Sequence, residues 1–120
     1  MNVVANVLVG LVAAFHVYVL VLEMFLWQGP RGRVLHGLDA AGARITAPLA
    51  ANQGLYNGFL AAGLVWGLIA GDPVGFQAKV FFLCCVIVAG AYGAATASRT
   101  ILFAQFAPAV VTLVVVLVAA

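Results

Sequence analysis

Residues 1–22 have the sequence MNVVANVLVGLVAAFHVYVLVL, an apolar stretch without a charged side chain. Three further stretches share this property: 45–71, 80–98 and 100–120. An α-helix rises about 1.5 Å per residue, so about 20 apolar residues span the hydrocarbon core of a bilayer. Each stretch has roughly that length. The sequence therefore predicts four membrane-spanning helices, at about 3–27, 47–70, 76–97 and 101–119.

The composition indicates a membrane protein rather than a water-soluble one. Hydrophobic residues make up 67% of the 120-residue chain and charged residues 7%, whereas soluble domains have roughly 25% charged residues. A soluble helical bundle would need a polar stripe on each helix, and the four stretches lack one. We therefore predict an all-α fold, with residues 1–120 forming a single integral membrane four-helix bundle whose first partner is the lipid bilayer.

Several classes of function lack the residues that they require. A net charge of +2 without a long basic run argues against a nucleic-acid partner. No cofactor or metal is expected, because the chain has no CxxC pair, Walker A loop or HExxH sequence. Cys84 and Cys85 are adjacent, so their side chains point apart on a helix and a disulfide between them is not expected.

The distribution of charge predicts the orientation of the chain. Four of the five basic residues fall in the first and third connections: Arg31, Arg33, Arg44 and Arg99. The positive-inside rule then places the 28–46 loop in the cytoplasm and both termini outside. Within that loop, Asp39 precedes Ala40 as an N-cap residue precedes a short helix. The loop arginines Arg31, Arg33 and Arg44 are candidates for contact with lipid phosphates.

Small residues recur at helical spacing in the second and third spans. Such small-xxx-small ridges let another helix backbone approach closely. On the second span they form two ridges on roughly opposite sides, so this helix is predicted to pack against two neighbours or against one neighbour and a second protomer. The glycines predicted to pack in this way are Gly54, Gly58, Gly63, Gly67 and Gly93.

Polar side chains within the predicted spans mark a candidate ligand pocket. Polar groups are costly in a bilayer and usually face the interior of a bundle. With the orientation above, these residues lie in the cytoplasmic half of the membrane or near its centre, which predicts a pocket open to the cytoplasm. Alternatively, each of them only holds helices together through hydrogen bonds. The candidate ligand-binding residues are His16, Glu23, Asn52, Gln53, Tyr56, Asn57, Tyr92 and Gln105.

Several of these residues lie in segments that resemble a known family. The segments are LEMFLW at 22–27, PRGR at 30–33, LAANQGLYNGFLAAG at 49–63, CVIVAGAYGAAT at 85–96, and Gln105 with Pro108. The chain resembles family 1304 of proteins with a domain of unknown function. The resemblance implies a four-helix integral membrane protein of the bacterial envelope, and so the bacterial inner membrane, but no established activity. DAAGARITAP at 39–48 is richer in Ala and Gly than the charged loop that the resemblance implies.

Three functions remain open on this basis. The leading hypothesis is a protein that binds or transports a small molecule in the pocket around Glu23. It would act as a homo-oligomer, since four spans enclose little volume. The second is a membrane enzyme or a quinone- or lipid-interacting subunit, in which His16, Tyr56 and Tyr92 would face the substrate. The third is a structural accessory protein whose polar residues only fix the register of the helices.

Overall fold

The computed structural model describes residues 3–96 and 99–120, except the side chains of residues 101 and 102, and the regular elements in this part of the chain are all helical. The last helix, α5, runs without interruption from Arg99–Ile101 through a π-helical stretch, Leu102–Phe106, into Ala107–Ala119. The other helices are α1 (Val3–Phe25), α2 (Pro30–His36), α3 (Ala40–Ile69) and α4 (Val74–Thr96). The predicted all-α class is confirmed. The predicted count of four helices is wrong, because the described residues contain five.

The additional helix is α2, in a segment rich in residues that interrupt helices. Pro30 occupies the start of α2, where its fixed φ suits a helix and its missing N–H costs nothing. Gly37 ends the helix with a φ of 64°, a left-handed conformation that glycine adopts without steric cost. The Leu38 N–H donates to the Arg33 carbonyl at 2.9 Å and closes this turn. Seven residues are too few for a stable isolated helix, so α2 depends on tertiary contacts that the sequence pattern does not display.

Asp39 caps a much longer helix than the sequence predicts. Its carboxylate accepts a hydrogen bond from the Gly42 N–H at 2.7 Å, which confirms the predicted N-cap. The helix that follows is not a separate short one, however, but the beginning of the 30-residue α3. Pro48 lies inside α3 without ending it. The absence of charged residues after Arg44 marked the predicted start of the span, but it does not mark the start of the helix.

Two helices of the described residues are long and apolar enough to cross a membrane. They are α1 and α4, each of 23 residues, and an 18-residue stretch within each has a mean hydropathy of 2.3 and 2.0, respectively. A shorter apolar helix covers Phe103–Ala119. The amides Asn52, Gln53 and Asn57 interrupt the apolar sequence of α3. Length and composition therefore identify two candidate membrane spans.

The described residues form two compact units. The terminal unit consists of the residues up to Ala13 and those from Ala62 onward, and the loop unit is Ala14–Ala61. The core of the terminal unit is aliphatic, and Val9, Leu64 and Leu83 are fully buried in it. The cluster around them includes the buried residues Ala5, Val12, Ala13 and Val116.

Glycines allow close helix contacts within the terminal unit. A Cβ atom added to Gly67 would lie 2.6 Å from Cγ of Lys79, and one added to Gly63 would overlap the ring of Phe82. The stem of Lys79 thus lies along Gly67, and its ammonium group donates to Oδ1 of Asn6 at 3.1 Å. Gly93, the packing glycine predicted on α4, is half-buried.

Candidate functional site

The loop unit contains a buried carboxylate–amide pair. Glu23 on α1 and Asn57 on α3 are 5% and 8% exposed. Nδ2 of Asn57 donates to Oε1 of Glu23 at 2.8 Å. The same nitrogen donates to the carbonyl of Gln53 at 3.1 Å, one turn earlier on α3. Both amide protons are therefore engaged, and the second bond holds the amide in the position from which it reaches Glu23.

Two glycines of α3 make this pair possible. A Cβ on Gly54 would lie 2.7 Å from Cγ of Met24 and 3.0 Å from Cβ of Glu23. A Cβ on Gly58 would lie 2.6 Å from Cδ1 of Leu20. Gly54 and Gly58 are one turn apart, so together they provide a smooth surface against which α1 packs. This close approach brings the carboxylate within hydrogen-bond distance of Asn57.

The Glu23 carboxylate of this pair can accept more hydrogen bonds than Asn57 donates to it. A carboxylate has about four lone-pair sites, and the amide of Asn57 uses one of them. The donor is a neutral amide, which does not compensate a carboxylate charge as a lysine or arginine would. Burying an ionised carboxylate is costly unless it is paired, so a proton or a cation at Glu23 would complete the site.

The remaining polar residues predicted for a pocket differ in their surroundings. His16 is buried at 1% exposure, with the ring of Phe15 edge-on at a centroid distance of 5.4 Å. Seven residues separate it from Glu23, so it lies about two helical turns away on the same face of α1. On α3, the side chains of Asn52, Gln53 and Tyr56 are exposed.

Two predicted pocket residues belong to the terminal unit. Tyr92 on α4 is 72% exposed, and Gln105 in the π-helical stretch of α5 is half-buried. Within the loop unit, a hydrogen bond between side chains joins two of the predicted residues, Glu23 and Asn57. In residues 3–96 and 99–120, no group of three His, Cys, Asp or Glu side chains could hold a metal ion.

The structure also shows a group of contacts that sequence analysis did not identify. Trp27 donates from Nε1 to the hydroxyl of Thr46 at 2.9 Å, and its ring lies 4.3 Å from that of His36. Nδ1 of His36 is 2.9 Å from the carbonyl of Gly32. These contacts join the end of α1 to α2 and to the start of α3. No periodic pattern relates a tryptophan to a histidine nine residues later across a break, so the sequence offered no signal for them.

The three loop arginines have different environments. Arg31 donates from Nη1 to the hydroxyl of Tyr18 at 2.9 Å. Arg33 is half-buried and lines an open concavity beside α2. Arg44 is exposed in the second turn of α3.

Comparison with known families accounts for nearly the whole chain. The family profile described as "Protein of unknown function (DUF1304)" matches residues 10–117. The chain belongs to the DUF1304 family. The membership predicted from the sequence segments is thereby confirmed, and the matched range of this DUF1304 chain includes Glu23 and Asn57. Neither the curated proteins nor the solved structures include a match.

Proposed function

We propose that this DUF1304 chain is a multi-pass membrane protein that binds a small-molecule organic cation, or a proton, at Glu23 and is able to transport it. The observation that supports the proposal is the pair itself: a carboxylate 5% exposed whose hydrogen-bond donor is a neutral amide. Intramembrane carboxylates are rare and typically mark ion or substrate pathways.

The proposed multi-pass topology has four membrane spans, two more than the two candidates identified by length and composition. α1 and α4 have the length and mean hydropathy of spans. We propose that α3 and α5 cross as well, because α3 is 30 residues long and Phe103–Ala119 is apolar. The location is the bacterial inner membrane, which the family resemblance implies. A homo-oligomer follows from size, because four spans enclose too little volume for a transport path.

Cation binding can be tested with one probe and two variants. The probe is tetraphenylphosphonium, a lipophilic cation whose charge and apolar surface suit a carboxylate among apolar side chains. We expect saturable binding to the purified protein in detergent and a loss of at least about tenfold in affinity for Glu23→Gln. The amide keeps the shape of the side chain and removes its charge. Asp72→Asn is the matched control. Oδ1 of Asp72 accepts a hydrogen bond from the Phe76 N–H at 3.2 Å, and the side-chain oxygen of an asparagine can accept the same bond.

Transport can be measured with the same variants after reconstitution into liposomes. A pH-sensitive dye inside the liposomes would report proton entry after a pH jump, with and without the organic cation outside. The proposal predicts flux for the wild type and Asp72→Asn but none for Glu23→Gln. A Glu23→Gln protein that binds and transports like the wild type would favour the structural accessory function, in which the pair only joins two helices.

A further inference from the structure

A second candidate binding site lies on α2, at an open concavity of about 410 Å³. Helical spacing divides the residues of α2 between two faces. Gly32 and His36 form the face that packs against the rest of the loop unit. A Cβ on Gly32 would collide with the backbone of Leu26 and Trp27, and the ring of His36 contacts that of Trp27 at a tilt of 39°. The opposite face lines the concavity, together with the turn that ends the helix: Pro30, Arg33, Val34, Gly37 and Leu38.

Arg33 supplies a charged donor at this concavity. Its Nε atom is buried and makes no hydrogen bond with any atom of the described residues. A buried donor without a partner is unfavourable, and a guanidinium group matches the two oxygens of a phosphate in a planar, bidentate arrangement. The lining therefore includes a guanidinium group with an unused donor, the chemistry that a phosphate-bearing ligand requires. Of the three arginines that the sequence predicts to meet lipid phosphates, Arg33 is the one in this lining.

The surroundings of the concavity combine positive charge with exposed aliphatic surface. Val34 is 79% exposed and Leu35 is 56% exposed on the same short helix as Arg31 and Arg33. The acidic residue of this segment, Asp39, already accepts the Gly42 N–H. A free phosphate would leave the aliphatic side chains in water, whereas a phospholipid supplies both a phosphate and acyl chains. Basic residues beside apolar ones are typical of surfaces that bind anionic lipids.

We infer that the α2 concavity binds the headgroup of an anionic phospholipid, with the phosphate on Arg33 and the acyl chains along Val34 and Leu38, which line it. This inference rests on the proposed membrane location and is independent of cation binding at Glu23. Its test uses other variants and another ligand, so either proposal can fail without the other.

The test titrates the full-length protein in detergent with dioctanoyl phosphatidylglycerol and follows the fluorescence of Trp27, which contacts α2, in a Trp66→Phe background. We expect saturable binding, and an affinity lower by about tenfold or more for Arg33→Gln. Arg44→Gln is the matched control, because it removes one exposed arginine of the same segment from outside the lining. The zwitterionic dioctanoyl phosphatidylcholine should bind at least about tenfold more weakly than the anionic lipid.

A second variant serves if Arg33→Gln does not fold, as judged by circular dichroism and gel filtration. Val34→Asp adds a negative charge to the lining at a side chain that is 79% exposed, and we expect it to weaken binding to a similar extent. Equal loss in Arg44→Gln would overturn the inference in favour of unspecific charge attraction. Three other outcomes would also overturn the lipid site. The first is equal affinity for the zwitterionic lipid, and the second is wild-type binding by Arg33→Gln or Val34→Asp. The third is competition by millimolar inorganic phosphate.

Discussion

At the scale of single residues, one nitrogen atom connects two helices of the loop unit. Nδ2 of Asn57 binds the Gln53 carbonyl within α3 and the Glu23 carboxylate on α1. The local bond orients the amide before α1 is in place, so less side-chain entropy is lost when the second bond forms. An ionised aspartate at this position could not donate, and a leucine would leave the carboxylate without a donor.

The strength of this pair can be measured by a double-mutant cycle of Glu23→Ala and Asn57→Ala. Hydrogen bonds between membrane helices contribute about 0.6–2 kcal/mol, and we expect a coupling free energy in that range. Each single substitution should lower the melting temperature in detergent, and the double variant should be more stable than the sum of both effects predicts. Additive effects would mean that the bond does not stabilise the protein in solution.

At the scale of helices, the π-helical stretch of α5 has a local cause in the sequence and packs closely against α4. Pro108 follows this stretch. It lacks the N–H that would bond to the carbonyl of residue 104, and its ring would clash with that carbonyl in a regular α-helix. The wider π turn avoids this clash and shifts the backbone outward. The shifted backbone packs on α4 at Gly90, where an added Cβ would lie 2.9 Å from N and Cα of Phe106.

Gly90→Ala should therefore destabilise the protein. The methyl group would press on backbone atoms of Phe106, which cannot rotate away as a side chain could, and overpacking of this kind costs about 1–3 kcal/mol. Gly10→Ala is the control, because an added Cβ there meets nothing within 4 Å and alanine favours a helix by about 1 kcal/mol over glycine. Thermal melting in detergent should fall for the first variant and stay equal or rise for the second. A Gly90→Ala protein as stable as Gly10→Ala would contradict the close contact of α4 with the π turn.

At the scale of the whole molecule, the distribution of charge predicts which connections face the cytoplasm. Arg31, Arg33 and Arg44 all lie between Gln28 and Thr46, whereas Asp72 lies in the connection of α3 and α4 and Lys79 in the second turn of α4. Lys79 is involved in a hydrogen bond with Asn6, so its side chain has a structural role beyond that of a topology signal. If α1 and α3 each cross the membrane, these two connections lie on opposite sides.

Two single cysteines would determine the orientation. The structure indicates suitable positions: Gln28 is exposed, and a Cβ on Gly71 meets nothing within 4 Å. In a background of Cys84→Ala and Cys85→Ala, a membrane-impermeant maleimide applied to intact cells should label Gly71→Cys. Gln28→Cys should be labelled only after the cells have been permeabilised. Labelling of both from outside would contradict the predicted crossing of α3, and partial labelling of each position would indicate that the chain inserts in both orientations.

The sequence alone was sufficient for the helical class and for family membership. Long runs of apolar residues without charges form helices, because within a helix each backbone group finds its partner four residues away. The cap at Asp39 was predictable for the same reason, since an N-cap bond closes over three residues. The segments from LEMFLW to CVIVAGAYGAAT were distinctive enough to identify the family that the profile over residues 10–117 confirms.

Tertiary structure decided whether α2 forms and which polar residues meet. Seven residues with an internal glycine cannot form a stable helix alone, and α2 is supported by the packing of Gly32 and His36 on Leu26 and Trp27, which follow α1. Similarly, Asn57 and Asn52 are both asparagines of α3, yet the first is buried on Glu23 and the second is exposed. Their difference depends on which side of α3 meets α1 at Gly54 and Gly58. That rotation is set by the packing of whole helices, which composition and spacing along one helix do not specify.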